Sequence, residues 1–211
     1  MRHFCQFVQT LGFADGQINV CDSLSESFFI YSHPDYALGS DAKRRVFDYV
    51  SQQPLFLQDY GQLDQADFVL GFSFGDSDTI NHDLAQLAKI VHQNKPQLAL
   101  YLQQEIALHA SCLPNVPIAN TAYQTTLDVA KQAHQQQGGH KVVVLAQAWH
   151  AKRCIETCNA LGLEVVALRV AHGFPANDPQ PWVRNPINWV IKESHRHLAT
   201  GYEISQRYQL A

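Results

Sequence analysis

The chain has 211 residues, 46% hydrophobic and 16% charged, which excludes a disordered chain and supplies enough apolar surface for a large core without disulfides or a structural metal. A formal net charge of −4 and the lack of any Lys/Arg run exclude a broad basic face, so nucleic acid is not an expected partner. No stretch reaches the roughly 18 consecutive apolar residues of a membrane-spanning helix, so no integral membrane segment is expected.

The N-terminal MRHFCQFVQTLGFADG lacks the continuous apolar stretch of a signal peptide. The five cysteines are scattered and odd in number, which points to reduced thiols and a cytoplasmic protein. Phe4, Val8 and Leu11 predict one short helix, and Ser40/Asp41 to Gln53 a second, stopped by Pro54. Residues 1–62 therefore read as a helical arm or small lobe, and 63–211 as the main domain.

Strands and helices then alternate. Ala66–Gly71 is a short apolar strand ending in the turn Gly71-Phe72-Ser73-Phe74-Gly75. Asp76-Ser77-Asp78-Thr79 offers N-cap residues for a helix marked by Ile80, Leu84, Leu87, Ala88 and Val91. Gln97–Leu102 reads as a second strand and Val116–Ala119 as a third, with a helix from Thr126 to about Gln137, stopped by Gly138-Gly139. Lys141–Ala146 is the clearest strand, its unbroken apolar run predicting burial on both faces of a parallel sheet. A helix from His150 to Leu161, ended by Gly162, leads to a fifth strand at Glu164–Val170. Asn185-Pro186 is an N-cap and N1 pair opening a last helix whose apolar face runs from Ile187 through Leu198, closed by Gly201. This succession predicts an α/β fold: a Rossmann-like three-layer sandwich with a mostly parallel sheet of about five strands, plus the N-terminal helical arm.

Ligands of open parallel sheets bind at the C-terminal strand ends, and four groups of residues fall there. Gly71 and Gly75 let a backbone approach a ligand, but the spacing is not GxGxxG and Asp76 and Asp78 would repel a phosphate; a tight turn with an N-cap is the plainer reading. Glu105, after the second strand, stands where ribose hydroxyls are commonly held, or is an exposed carboxylate at a helix start. Thr125, Thr126 and Asp128 offer two hydroxyls and a carboxylate to a polar ligand, and equally spell a capping box. His150 and Arg153, three apart on one helix face, suit an anion, with His150 the catalytic acid/base candidate; a solvated helix start is the alternative. His172 is a weaker candidate for the rim, and Cys154 with Cys158 reads as core packing. No GxSxG elbow or HExxH is present, and no metal site is expected, although Asp76, Asp78 and Glu105 leave a metal-dependent hydrolase as a third option.

From about Asp67 onwards the sequence resembles the YdcF-like, SanA-like and ElyC-like family of bacterial domains of unknown function. The resemblance rests on ADFVLGFSFG, LYLQQEIA, TTLDVA and, most specifically, VVVLAQAWHAKRCIETCNALGLEV; the C-terminal NPINWVIKESHRHLA is similar to the family's last helix. The family's helix start reads NTxEN, whereas here Thr125 replaces Asn, Asp128 replaces Glu and Val129 replaces the second Asn, with Asn120 near the place of an upstream acidic residue. Thr126, Asp128, His150 and Arg153 match the family by position, Glu105 less closely. The resemblance implies a Rossmann-like fold and, for some members, a part in envelope physiology; the departures suggest a divergent branch.

The leading functional expectation is a cytosolic enzyme or ligand-binding domain for a small-molecule ligand that is nucleotide-like or phosphorylated, S-adenosylmethionine included; if it is an enzyme, group transfer or hydrolysis is the expected chemistry. Redox chemistry is disfavoured because the NAD fingerprint is missing. The alternative is a non-catalytic sensor or partner-binding protein using the same pocket.

Overall fold

The computed structural model describes residues 2–18, 36–52, 54–119, 124–136 and 139–210. Asn120, the end of the second expected helix at Gln53 and the Gln137-Gly138 step lie outside the described residues. In chain order the helices are α1 (Arg2–Thr10), α2 (Ser40–Val50), α3 (Asp78–Asn94), α4 (Gln104–Ala107), α5 (Thr126–Gln136), α6 (Ala151–Ala160), α7 (Pro186–His195) and α8 (Gly201–Tyr208). The strands are β1 (Tyr60–Gly61), β2 (Phe68–Gly71), β3 (Ala99–Gln103), β4 (Val116–Ile118), β5 (Lys141–Gln147) and β6 (Glu164–Ala171). Two compact units emerge, Met1–Leu55 with Gly173–Ala211, and Phe56–His172.

The Phe56–His172 unit holds the whole sheet, in the order β1-β6-β5-β2-β3-β4. β5 pairs in parallel with β2 on one side and β6 on the other, and Val142 to Gln147 are buried. That placement is why its sequence is an unbroken apolar run, since a strand buried on both faces has no solvent side to alternate towards. β2, with Phe68, Val69 and Leu70 buried, lies between β5 and β3, and β4 borders the sheet with Pro117 at its middle. α3 buries Ile80, Leu84, Ala88 and Val91, the three- and four-residue spacing of one helix face. The α/β class and the parallel character of the sheet therefore agree with the sequence pattern.

Among the described residues the sheet has six strands, where about five were expected. The sixth, β1, is antiparallel to β6, pairing Tyr60 with Leu168 and Gly61 with Ala167. Both its residues are exposed, so no apolar pattern marks it. Side chains of and around the pair hold it instead: Arg169 Nη1 donates to Tyr60 O at 2.8 Å, and Val170 N donates to Asp59 Oδ1 at 2.8 Å. Gly61 has φ +75°, and a Cβ there would collide with Val166 O, so this turn needs glycine.

The other unit is helical among its described residues. Phe4 and Val8 of α1, Val46 and Val50 of α2, and Trp189, Val190 and Ile191 of α7 are all buried. Asn185 caps α7 as expected, its side chain accepting from Asn188 N at 2.8 Å. α7 ends at His195, however, and Leu198 is exposed. Gly201 does not close that helix; it opens α8, where Thr200 and Glu203 form a capping box. A Cβ on Gly201 would come within 2.9 Å of the Trp182 ring, which explains a glycine inside a helix start. α7 is buried almost all round, and its charges are paired: Lys192 Nζ lies 2.8 Å from Glu193 Oε1, with Arg196 Nη1 3.3 Å from Glu193 Oε2.

Candidate functional site

From β2 the chain builds β3 and β4 on one side of the sheet, then crosses to build β5 and β6 on the other. The connections leaving β2 and β5 thus diverge, and such a reversal opens a crevice at the C-terminal strand ends. The residues found there are the β2–α3 loop, the first turn of α4, the start of α5 and the β5–α6 corner.

The β2–α3 loop is locked from within. Phe72 N donates to Leu145 O at 2.9 Å, Ser73 N to Gln103 Oε1 at 3.0 Å and Phe74 N to Asn81 Oδ1 at 3.0 Å. Asn81, buried in the first turn of α3, also donates to Gly75 O at 3.1 Å and Ser77 O at 2.9 Å. Gly75, at φ +74°, supplies the left-handed turn that brings those carbonyls back over Asn81. Gly71 faces the sheet's own neighbours: a Cβ would sit 2.9 Å from Leu102 Cδ2 and 3.2 Å from Ile106 Cδ1. Three successive backbone N–H groups are thereby engaged inside the protein, unlike a glycine loop that cradles a phosphate. Asp76 is exposed, and Asp78 pairs with His109 Nε2 at 3.2 Å.

The β5–α6 corner is equally fixed. Gln147, fully buried, accepts from Trp149 N at 2.7 Å and His150 N at 3.1 Å through Oε1. This places His150, itself only 4% exposed, at the N-cap of α6. Its ring lies 6.4 Å from the ring of Phe72, edge on, and 6.1 Å from that of Phe74. His150 Nε2 is 2.7 Å from Arg153 Nη2 and 3.2 Å from Thr126 Oγ1. The expected residues Thr126, His150 and Arg153 are thus brought together across 24 positions of sequence.

The other expected residues are engaged differently. Thr125 and Asp128 engage each other: Thr125 N and Oγ1 donate to Asp128 Oδ2 at 2.9 and 2.6 Å, and Asp128 N donates back to Thr125 Oγ1 at 3.3 Å. This is the capping-box reading of the motif, and the Thr125 hydroxyl, followed by its N–H, lowers the Asp128 pKa from the ordinary carboxylate value. Glu105 is in the first turn of α4, with Oε2 buried and accepting no hydrogen bond among the described residues. No three His, Cys, Asp or Glu side chains gather as a metal-binding group among the described residues. Cys154 and Cys158 are buried, and burial pushes the Cys158 thiol up to about 12.

Sequence reasoning missed Asn81 as the loop's anchor, Gln147 as the anchor of His150, and the two phenyl rings beside the imidazole. Buried amides signal themselves only through what they bond, so a single sequence held no cue for them; Phe72 and Phe74 stood inside the glycine turn and read as interruptions of it.

Compared with protein-family models, curated proteins and solved structures, the chain matches none.

Proposed function

We propose that the C-terminal ends of β3, β2 and β5 hold a small nucleotide-like or phosphorylated ligand, with S-adenosylmethionine among the compounds to test. In this reading the domain is a Rossmann-like three-layer sandwich related to the YdcF-, SanA- and ElyC-like proteins. The observation that carries the proposal is the convergence of Thr126, His150 and Arg153 against Phe72 and Phe74, beside the place where the strand order reverses. Arg153 supplies a planar fork of donors for an anionic group, and the phenyl rings an apolar wall. Glu105, with its buried oxygen, is the acceptor for ligand hydroxyls. β3 and β5 flank β2, so Glu105 and His150 stand at strand ends about 10 Å apart, a span that suits a nucleoside-sized molecule.

With His150 as acid/base, group transfer or hydrolysis follows. The second reading, a sensor that binds without turnover, is favoured by the mutual engagement of Thr125 and Asp128, which removes two polar groups from direct chemistry. The test is thermal unfolding against S-adenosylmethionine and its demethylated product, nucleotides, sugar phosphates and sulfate. A ligand at ~100 times its Kd stabilises by about 2.7 kcal/mol. A shift that disappears in Arg153→Ala is expected; a shift that survives in both Arg153→Ala and Glu105→Ala would place the ligand elsewhere. Turnover of a stabilising compound, lost in His150→Gln, separates the enzyme from the sensor.

A further inference from the structure

We infer that His82 and His109 form a site for a divalent cation that prefers nitrogen donors, zinc above all, with the Asp78 carboxylate orienting the His109 ring from behind. The site is separate from the ligand site proposed above and does not depend on it.

Asp78 and His82 are four residues apart, so they share one face of α3 in its first two turns. His109 comes from the 3-10 turn Leu108–Ala110 that follows α4, and its Nε2 lies 3.2 Å from Asp78 Oδ1. An ionised carboxylate only accepts, so Nε2 carries the proton and donates it. In the neutral ring Nδ1 then holds the lone pair, on the nitrogen that Asp78 does not occupy. A histidine that ligates a metal almost always donates its other ring N–H in this way, because the carboxylate fixes the tautomer and makes the ring a stronger donor to the metal.

The second imidazole stands alongside. The His82 and His109 ring centroids are 5.8 Å apart, with an interplanar angle of 79°. Zinc–nitrogen bonds of about 2.0–2.1 Å place two imidazoles on one tetrahedral ion with centroids roughly 5 Å apart, so the rings need close by only about 1 Å. His82 is exposed, and its Nε2 lies 3.3 Å from Gln86 Nε2, an amide donor that marks this nitrogen as the one with the lone pair. Turning the ring towards His109 gives up that one exposed bond. Two imidazoles with a carboxylate behind one of them do not make a group of three protein donors, and water completes the coordination. Imidazole donors suit zinc rather than magnesium or calcium. The surrounding charge suits a cation as well: Asp76, Asp78 and Asp83 lie between positions 76 and 88 and Glu105 between 104 and 112, and neither stretch holds a Lys or Arg.

Zinc binding to the full chain is measured by isothermal titration calorimetry at about pH 7.5, in a buffer and with a reductant that do not chelate. Affinity is expected to fall by at least tenfold in His82→Gln and in His109→Gln, and by about 10–100-fold in Asp78→Ala, the usual effect of losing the carboxylate behind a metal-bound histidine. His134→Gln removes one ring of another histidine pair, 6.3 Å from His140, and is expected to leave the affinity unchanged. Circular dichroism of each variant checks that it is folded, which exposure of Asp78 and His82 favours. No zinc binding by the wild-type chain, or wild-type affinity in any of the three site variants, overturns the inference. Loss of binding in His134→Gln places the ion at the other pair and overturns it too. Histidine 15N shifts give a second readout. Without metal, the His109 signals, assigned by their loss in His109→Gln, should report a proton on Nε2 and a bare Nδ1 above neutral pH; on adding zinc, the His82 and His109 signals should move together. The opposite His109 tautomer, or zinc-induced shifts confined to other histidines, overturns the inference.

Discussion

Asn81→Asp changes one amide into a carboxylate of nearly the same shape, and the structure says what that should do. Asn81 is 1% exposed and makes three hydrogen bonds to the backbone of the β2–α3 loop. The acceptor for Phe74 N survives the change. The two donor bonds do not, and an oxygen now faces the carbonyls of Gly75 and Ser77, 3.1 and 2.9 Å away. Two lost bonds at about 1 kcal/mol each, and a buried charge facing two carbonyl dipoles, place the cost near 3 kcal/mol at pH 7. For a chain of this length that is roughly 6–12 °C in Tm. The new carboxyl has a folded-state pKa raised above its unfolded value of about 3.9. The charge's share of the cost is therefore absent when both states are protonated, grows as pH rises above about 4, and is complete above the folded-state pKa, while at least one lost donor bond costs the same at every pH. Thermal unfolding followed by circular dichroism, with wild type and Asn81→Ala alongside, reads the gap at pH 7 and pH 4.5. The gap to wild type should narrow at the lower pH for Asn81→Asp and stay nearly constant for Asn81→Ala. A drop under about 2 °C at pH 7, or an equal gap at both pH values, refutes the claim that Asn81 anchors the loop through its amide donors.

Gln147→Leu removes the acceptor of Trp149 N while His150 N keeps its bond to the Gln147 carbonyl, which the new residue retains. One orphaned buried N–H should cost about 1–3 kcal/mol in chemical unfolding and weaken sulfate binding as His150 loses its anchor; unchanged values in both would show that the corner is held by other means. His195 supplies a pH prediction in the helical unit. It is buried, its Nδ1 donates to Ile191 O at 2.9 Å, and burial lowers its pKa, with Arg45 and Arg207 acting in the same direction. The unfolded chain takes up the proton first, so stability should fall as pH drops below about 6.5, and His195→Gln should flatten that part of the unfolding profile. An equal slope in the two proteins would remove His195 from the acid response.

How much of this was legible in the sequence differs element by element. β2 and β5 announced themselves because burial on both faces forces apolar runs, and β5, the longest such run, sits between two parallel neighbours. β1 was invisible because its two residues are exposed and its pairing depends on contacts of Asp59 and Arg169 between segments far apart in sequence. The Thr200–Glu203 capping box was written plainly as a Thr with a Glu three residues on, yet Gly201 beside it read as a helix stop. In the candidate site, His150 and Arg153 were found because i and i+3 share a helix face, and Thr126 because it opens a helix at a strand end. The contacts of the Phe72 and Phe74 rings with the imidazole depend on the β2–β5 pairing, which no local pattern encodes.

The strand order that buries β2 and β5 also decides what stands at the borders of the sheet. An open row of backbone groups at a sheet edge invites other chains to add strands and so to aggregate. Here one border is a strand of two residues, and the other a strand of three whose middle residue, Pro117, has no N–H to give. The apolar runs that would make the most adhesive templates, at β2 and β5, are the ones furthest from either border. Edge-to-edge growth is thus discouraged by topology, without charged residues placed on a long border strand to prevent it.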